Sequence, residues 1–64
     1  MQLTLKAARV NAGMSQIEAS AKIGTSKTTL GKWERGETFP TLDVYDRICT
    51  IYNVPFGSII LPRT

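Results

Sequence analysis

Met14-Ser15-Gln16-Ile17-Glu18-Ala19-Ser20-Ala21-Lys22-Ile23-Gly24-Thr25-Ser26-Lys27-Thr28-Thr29-Leu30-Gly31-Lys32-Trp33-Glu34-Arg35-Gly36 reads as two short helices joined by a tight turn. The Ser15 hydroxyl can accept from an orphan first-turn amide, and Glu18 can reach back to the Ser15 amide, which completes a capping box. Ile23 closes an apolar stripe, and Gly24 can take the left-handed conformation that stops a helix at no steric cost. Ser26 then caps a second helix, Lys27 to Arg35, which Gly36 ends. Two helices joined by so short a turn form the unit that carries a recognition helix into the DNA major groove.

Outward from this stretch, a first helix is expected from about Leu3 to Asn11, with Leu5 and Ala8 facing the core and Ala12-Gly13 ending it. Glu37 to Pro40 is an exposed connection, with Phe39 extended because it precedes proline. Thr41 caps a fourth helix running to about Tyr52, and Asp43 in its first turn suits the positive end of the helix dipole. Leu42, Tyr45, Ile48, Cys49 and Tyr52 make one apolar face, with Val44 and Ile51 towards another side. Asn53 is a left-handed stop. Pro55 opens a short fifth helix, about Phe56 to Ile60, and Val54, Phe56 and Ile59 return to the core. Ile59-Ile60-Leu61 has strand-like composition but no partner of similar character, so it reads as helix end and tail. The expectation is an all-α, compact five-helix fold in a single domain, residues 1–64, with the helix-turn-helix at about 15–35.

Sixty-four residues allow one small core, since a chain this short buries only about 60% of its unfolded surface. With 42% hydrophobic and 20% charged residues, disorder is not expected. No apolar run approaches the ~20 residues needed to span a bilayer, and Met1-Gln2-Leu3-Thr4 lacks the features of a signal peptide, so a cytoplasmic location is expected. Cys49 is the one cysteine and there is no histidine, which excludes an internal disulfide, a multi-cysteine metal site and imidazole chemistry. Cys49 reads as a small buried hydrophobe, the competing reading being a reactive thiol. The net charge is +3. Lys22, Lys27, Lys32 and Arg35 fall within the helix-turn-helix against Glu18 and Glu34, whereas Asp43 and Asp46 face Arg47 later in the chain. Positive potential on one side suits nucleic acid, although charge alone would favour a solvated surface.

The chain resembles the Cro/repressor-type helix-turn-helix family of phage and bacterial regulators, whose fold is lambda-repressor-like. The matching positions are Arg9, Gly13, Ser15-Gln16, Gly24, Ser26, Trp33-Glu34-x-Gly36 and Pro40, followed by Leu42, Ile48, Cys49, Tyr52 and Val54. The resemblance covers about Leu3 to Leu61. It implies sequence-specific binding of a double-stranded DNA operator, as a transcriptional regulator of repressor type. The family's base-reading positions map onto Lys27, Thr28, Gly31 and Lys32. The lysines can donate to guanine O6 and N7, and Thr28 can bond a base edge or touch a thymine methyl. Gly31 costs roughly 1 kcal/mol against alanine inside a helix. It either lets the backbone approach the groove or marks a site under weak selection. Leu30 and Trp33, three apart, pack inward.

The free amides at Ser15-Gln16 favour an anion, and the family places a glutamine on the phosphate backbone at the position of Gln16. Ser26, Arg35 and the start of the fourth helix at Thr41 complete the expected phosphate contacts. The resemblance also pairs Arg9 with Glu34 as a structural ion pair that fixes one helix against another, the competing reading being a DNA contact by Arg9. Ala19 and Ser20 depart from the family, which has a larger aliphatic residue and alanine there. Tyr45 or Tyr52 would then fill the core. The remaining apolar residues Ile51, Phe56, Ile60 and Leu61 could form a weak homodimer strengthened on DNA, or could be ordinary core or surface. No cofactor, metal site, membrane contact or small-molecule ligand is evident. Two other classes compete. A protein-interaction module on the same fold (an antitoxin or coactivator-like adaptor) would favour a non-basic recognition face. An enzyme would need a titratable cluster that the five scattered carboxylates do not form.

Overall fold

The computed structural model describes residues 3–61. The elements in chain order are β1 (Leu3–Thr4), α1 (Leu5–Asn11), α2 (Gln16–Ile23), α3 (Lys27–Arg35), α4 (Leu42–Ile51) and β2 (Ile59–Ile60). Each helix is started by a hydroxyl. Thr4, Ser15, Ser26 and Thr41 are extended N-caps whose side chains accept from the backbone amides of Ala7, Glu18, Thr29 and Val44. The capping box at α2 is complete, with Ser15 N–H donating to Glu18 Oε1 at 3.2 Å and Glu18 N–H to Ser15 Oγ at 3.1 Å. Gly24 and Gly36 end α2 and α3 with φ of 92° and 79°. That left-handed conformation would strain any residue with a Cβ. Arg47 Nη1 donates to Ile23 O at 2.9 Å, so α4 satisfies a carbonyl left open at the end of α2.

The described residues form four helices, not five. After Asn53, which is left-handed at φ 57°, Pro55 begins a turn in which Ser58 N–H donates to Pro55 O at 3.1 Å. Gly57, at φ +89°, cannot continue a right-handed helix. Ile59–Ile60 then pairs in parallel with Leu3–Thr4, in the register Leu3↔Ile59 and Thr4↔Ile60. The strand's missing partner is therefore the first described segment of the chain. For the same reason α1 starts at Leu5, two residues later than the sequence suggests, with Thr4 serving as both strand and cap. The fold is mostly helical, closed by this two-stranded clasp.

The core comprises Leu5, Ala8, Ala19, Ile23, Leu30, Trp33, Tyr45, Ile48, Cys49, Tyr52 and Ile59, drawn from all four helices and β2. Ala19 and Ser20 are both buried, Ser20 Oγ donates to Ile17 O at 3.0 Å, and both tyrosines lie in the core. The Tyr45 hydroxyl donates to Ile59 O at 2.8 Å and accepts from Ile59 N at 3.3 Å, which pins β2 to α4. Two residues expected inside are outside. Leu42, in the first turn of α4, is 71% exposed, and Phe56 is 58% exposed. Phe56 instead lays its ring edge-on against Tyr45, with centroids 5.2 Å apart and planes at 84°.

Candidate nucleic-acid interface

Trp33 and Leu30 are buried on one side of α3, which fixes the rotation of the helix. Lys27, Thr28 and Lys32 consequently lie on its exposed side. Ser26 Oγ caps the helix and also bonds Thr29 Oγ1 at 2.9 Å, which holds its N-terminal turn rigid. Among the described residues, Lys27 and Lys32 are in no ion pair. Gly31 departs from its neighbours: it is buried, not outward. A Cβ there would lie 3.1 Å from Arg35 Nη1, which would have to shift slightly, and 3.9 Å from Gln16 Nε2, an ordinary contact.

A buried ion pair ties α3 to the rest. Arg9 Nε donates to Glu34 Oε2 at 2.7 Å, with the two side chains 9% and 5% exposed. Arg9 Nη1 donates to Met14 O at 2.9 Å, and Nη2 lies 3.4 Å from Glu34 Oε1. One guanidinium thus joins α1, the α1–α2 connection and α3, and little of it remains for a DNA strand. Gln16 Nε2 also donates to Glu34 Oε1, at 3.0 Å. A carboxylate accepts only, so this bond sets which end of the Gln16 amide faces Glu34, while its second N–H and its carbonyl have no partner among the described residues. Behind the pair the Tyr52 hydroxyl is buried without a hydrogen-bond partner. Burial, reinforced by the Glu34 charge, pushes its pKa up to about 12.

Between α1, α2 and α3 lies an open concavity of about 630 Å³. Its lining includes Lys6, Gln16, Lys27, Gly31, Glu34 and Arg35. A smaller one of about 280 Å³ beside it adds Thr28. Ser26, Lys32 and Thr41 line neither. Thr41 caps α4, with Val44 N–H donating to its Oγ1 at 3.4 Å. Arg35 is half exposed and pairs with Glu37, whose carboxyl is held below its usual range by that hydrogen bond and charge. At the mouth of the larger concavity the amides of Gln16 and Ile17 have no acceptor among the described residues. They carry the positive end of the α2 dipole.

This is a capped helix pair with an exposed basic second helix, locked by an Arg–Glu pair, and a helix-turn-helix family model matches residues 5–59. The chain belongs to the XRE-type helix-turn-helix family. The HTH-type transcriptional regulator SutR of Escherichia coli (strain K12) is similar to it, 39% identical over 62 residues. That match covers 97% of this chain and 35% of SutR, so the chain spans about a third of the relative's length. No solved structure matches. None of the described helices is long and apolar enough to cross a membrane.

Sequence reasoning missed three members of the site: Lys6, the Gln16–Glu34 bond and the buried Tyr52 hydroxyl. Lys6 had a signal, since it lies one helical turn before Arg9 and so shares its face. The other two depend on side-chain directions across helices and carry no signature in spacing.

Proposed function

We propose that this chain binds double-stranded DNA sequence-specifically as a bacterial- or phage-type transcriptional regulator of repressor type. The observation that carries the reading is the exposed Lys27–Thr28–Lys32 side of a helix held from behind by Leu30, Trp33 and the Arg9–Glu34 pair. A rigid helix with donors on its free side can enter the major groove, where Lys27, Thr28 and Lys32 meet base edges. Gln16 and Arg35, at the edge of that face, and the capped starts of α3 and α4 at Ser26 and Thr41 meet phosphates on either side. Membership of the XRE-type family and likeness to a transcriptional regulator support the same assignment. Half-buried Ile51 with exposed Phe56 and Ile60 supplies apolar surface for a weak homodimer, which would place two α3 helices in successive grooves. A regulator of this kind works in the cytoplasm.

The test is Lys27→Ala combined with Lys32→Ala, measured on a duplex selected from a random pool by the wild-type protein. Loss of two base-edge contacts, each worth about 1–3 kcal/mol, weakens binding to the selected duplex by about 30-fold or more and narrows the gap between it and an unrelated duplex. Helical circular dichroism stays unchanged because both residues are exposed. Unaltered affinity would remove α3 from the reading face.

A further inference from the structure

We propose that α1 takes part in DNA binding: Lys6 closes a cradle, lined also by Gly31, for one backbone phosphate. This rests on the DNA-binding reading above and adds a ligand from a helix outside the helix-turn-helix. Four cationic side chains line the concavity between α1, α2 and α3, namely Lys6, Arg9, Lys27 and Arg35, against the single carboxylate of Glu34. Arg9 is consumed by Glu34, and the Arg35–Glu37 pair is a solvent-exposed one of the kind that is easily exchanged. Lys6 and Lys27 have no carboxylate partner among the described residues. The cradle therefore holds a net positive charge that the fold itself does not neutralise.

Its donors also converge. Glu34 takes one N–H of the Gln16 amide and leaves the other free beside the unpaired Gln16 and Ile17 main-chain amides. Gly31 lines the same concavity, and a Cβ there would lie 3.1 Å from Arg35 Nη1 and press on that guanidinium. Lys6, on α1, lines the same concavity and is exposed. A tetrahedral dianion or monoanion fits this set of donors, whereas a base edge, flat and mixed in donors and acceptors, does not. The DNA backbone passing beside α3 presents such a group.

The experiment is Lys6→Ala, assayed against wild type on the selected duplex and on an unrelated duplex at several salt concentrations. One lost phosphate contact lowers the salt slope by about 0.9, which is about eightfold in affinity at 0.1 M and about twofold at 0.5 M salt. The loss should be equal on both duplexes, because a phosphate carries no sequence. A scan of neutral methylphosphonate substitutions along the selected duplex should find one position per half-site where Lys6→Ala loses less affinity than wild type does. An unchanged slope, or a loss that is additive at every position, overturns the role of Lys6 while leaving the DNA-binding reading in place. Failure of the wild-type protein to bind any duplex overturns both.

Discussion

Arg9→Ala tests whether the buried pair holds α3 in place. The substitution strands the Glu34 carboxylate, 5% exposed, without its main partner and also frees Met14 O. Removing one member of a buried ion pair costs about 3–5 kcal/mol, since the survivor keeps its desolvation penalty. A domain of 64 residues has a total stability of only about 3–10 kcal/mol. The single variant should thus lose at least about a third of its stability. With a urea m-value near 1 kcal/mol/M, its midpoint should drop by about 3 M or more. Replacing both partners with apolar residues of similar length, Arg9→Met with Glu34→Leu, leaves no lone charge and should recover most of the loss. Urea melts followed by circular dichroism at 222 nm measure all three proteins. A loss under about 1 kcal/mol for Arg9→Ala, or a double variant no better than the single, would refute the argument that the charges are mutually compensated in the core.

Gly31→Ala should raise thermal stability by up to about 1 kcal/mol, since alanine is the better helix residue and the atom it meets is the mobile end of Arg35. DNA affinity should fall in the same variant, and a duplex-binding titration checks whether the two effects part. Tyr52→Phe removes a buried hydroxyl with no partner and should change stability at neutral pH by less than about 1 kcal/mol. Because the folded-state pKa of Tyr52 is raised to about 12, wild-type stability should be full below the ordinary tyrosine pKa and decline as pH climbs towards 12. Denaturant melts between pH 9 and 12 should show a shallower decline for Tyr52→Phe. Tyr45→Phe strips the bonds to both polar groups of Ile59 and should cost about 1–3 kcal/mol, with faster amide exchange confined to residues near Ile59.

The helix boundaries from Ser15 onward were legible because they are decided locally. A hydroxyl at 15, 26 or 41 satisfies an amide three residues on, and a glycine at 24 or 36 supplies the left-handed stop. The end of the chain was not legible for the converse reason. Ile59–Ile60 is a strand only through two-residue pairing with Leu3–Thr4, more than fifty positions earlier, and through a tyrosine hydroxyl on α4. Apolar character at Leu42 misled in a different way. Leu42, the first residue of α4, faces away from the core although Val44 and Tyr45 after it pack inward, and being hydrophobic does not require being inside. On α3, burial of Trp33 and exposure of Lys27 and Lys32 followed from helical spacing alone. The burial of Gly31 did not, because it depends on Arg35 folding back across the helix.

The parallel register of the clasp has a mechanical meaning. Leu3 and Ile59 sit side by side with both segments running the same way, so the incoming chain leaves one end of the pair and the outgoing chain the other. Tension along the polypeptide then slides the strands lengthwise past each other and stretches their hydrogen bonds simultaneously, where an antiparallel hairpin would unzip bond by bond. Force applied through the backbone should meet its first resistance at this seam.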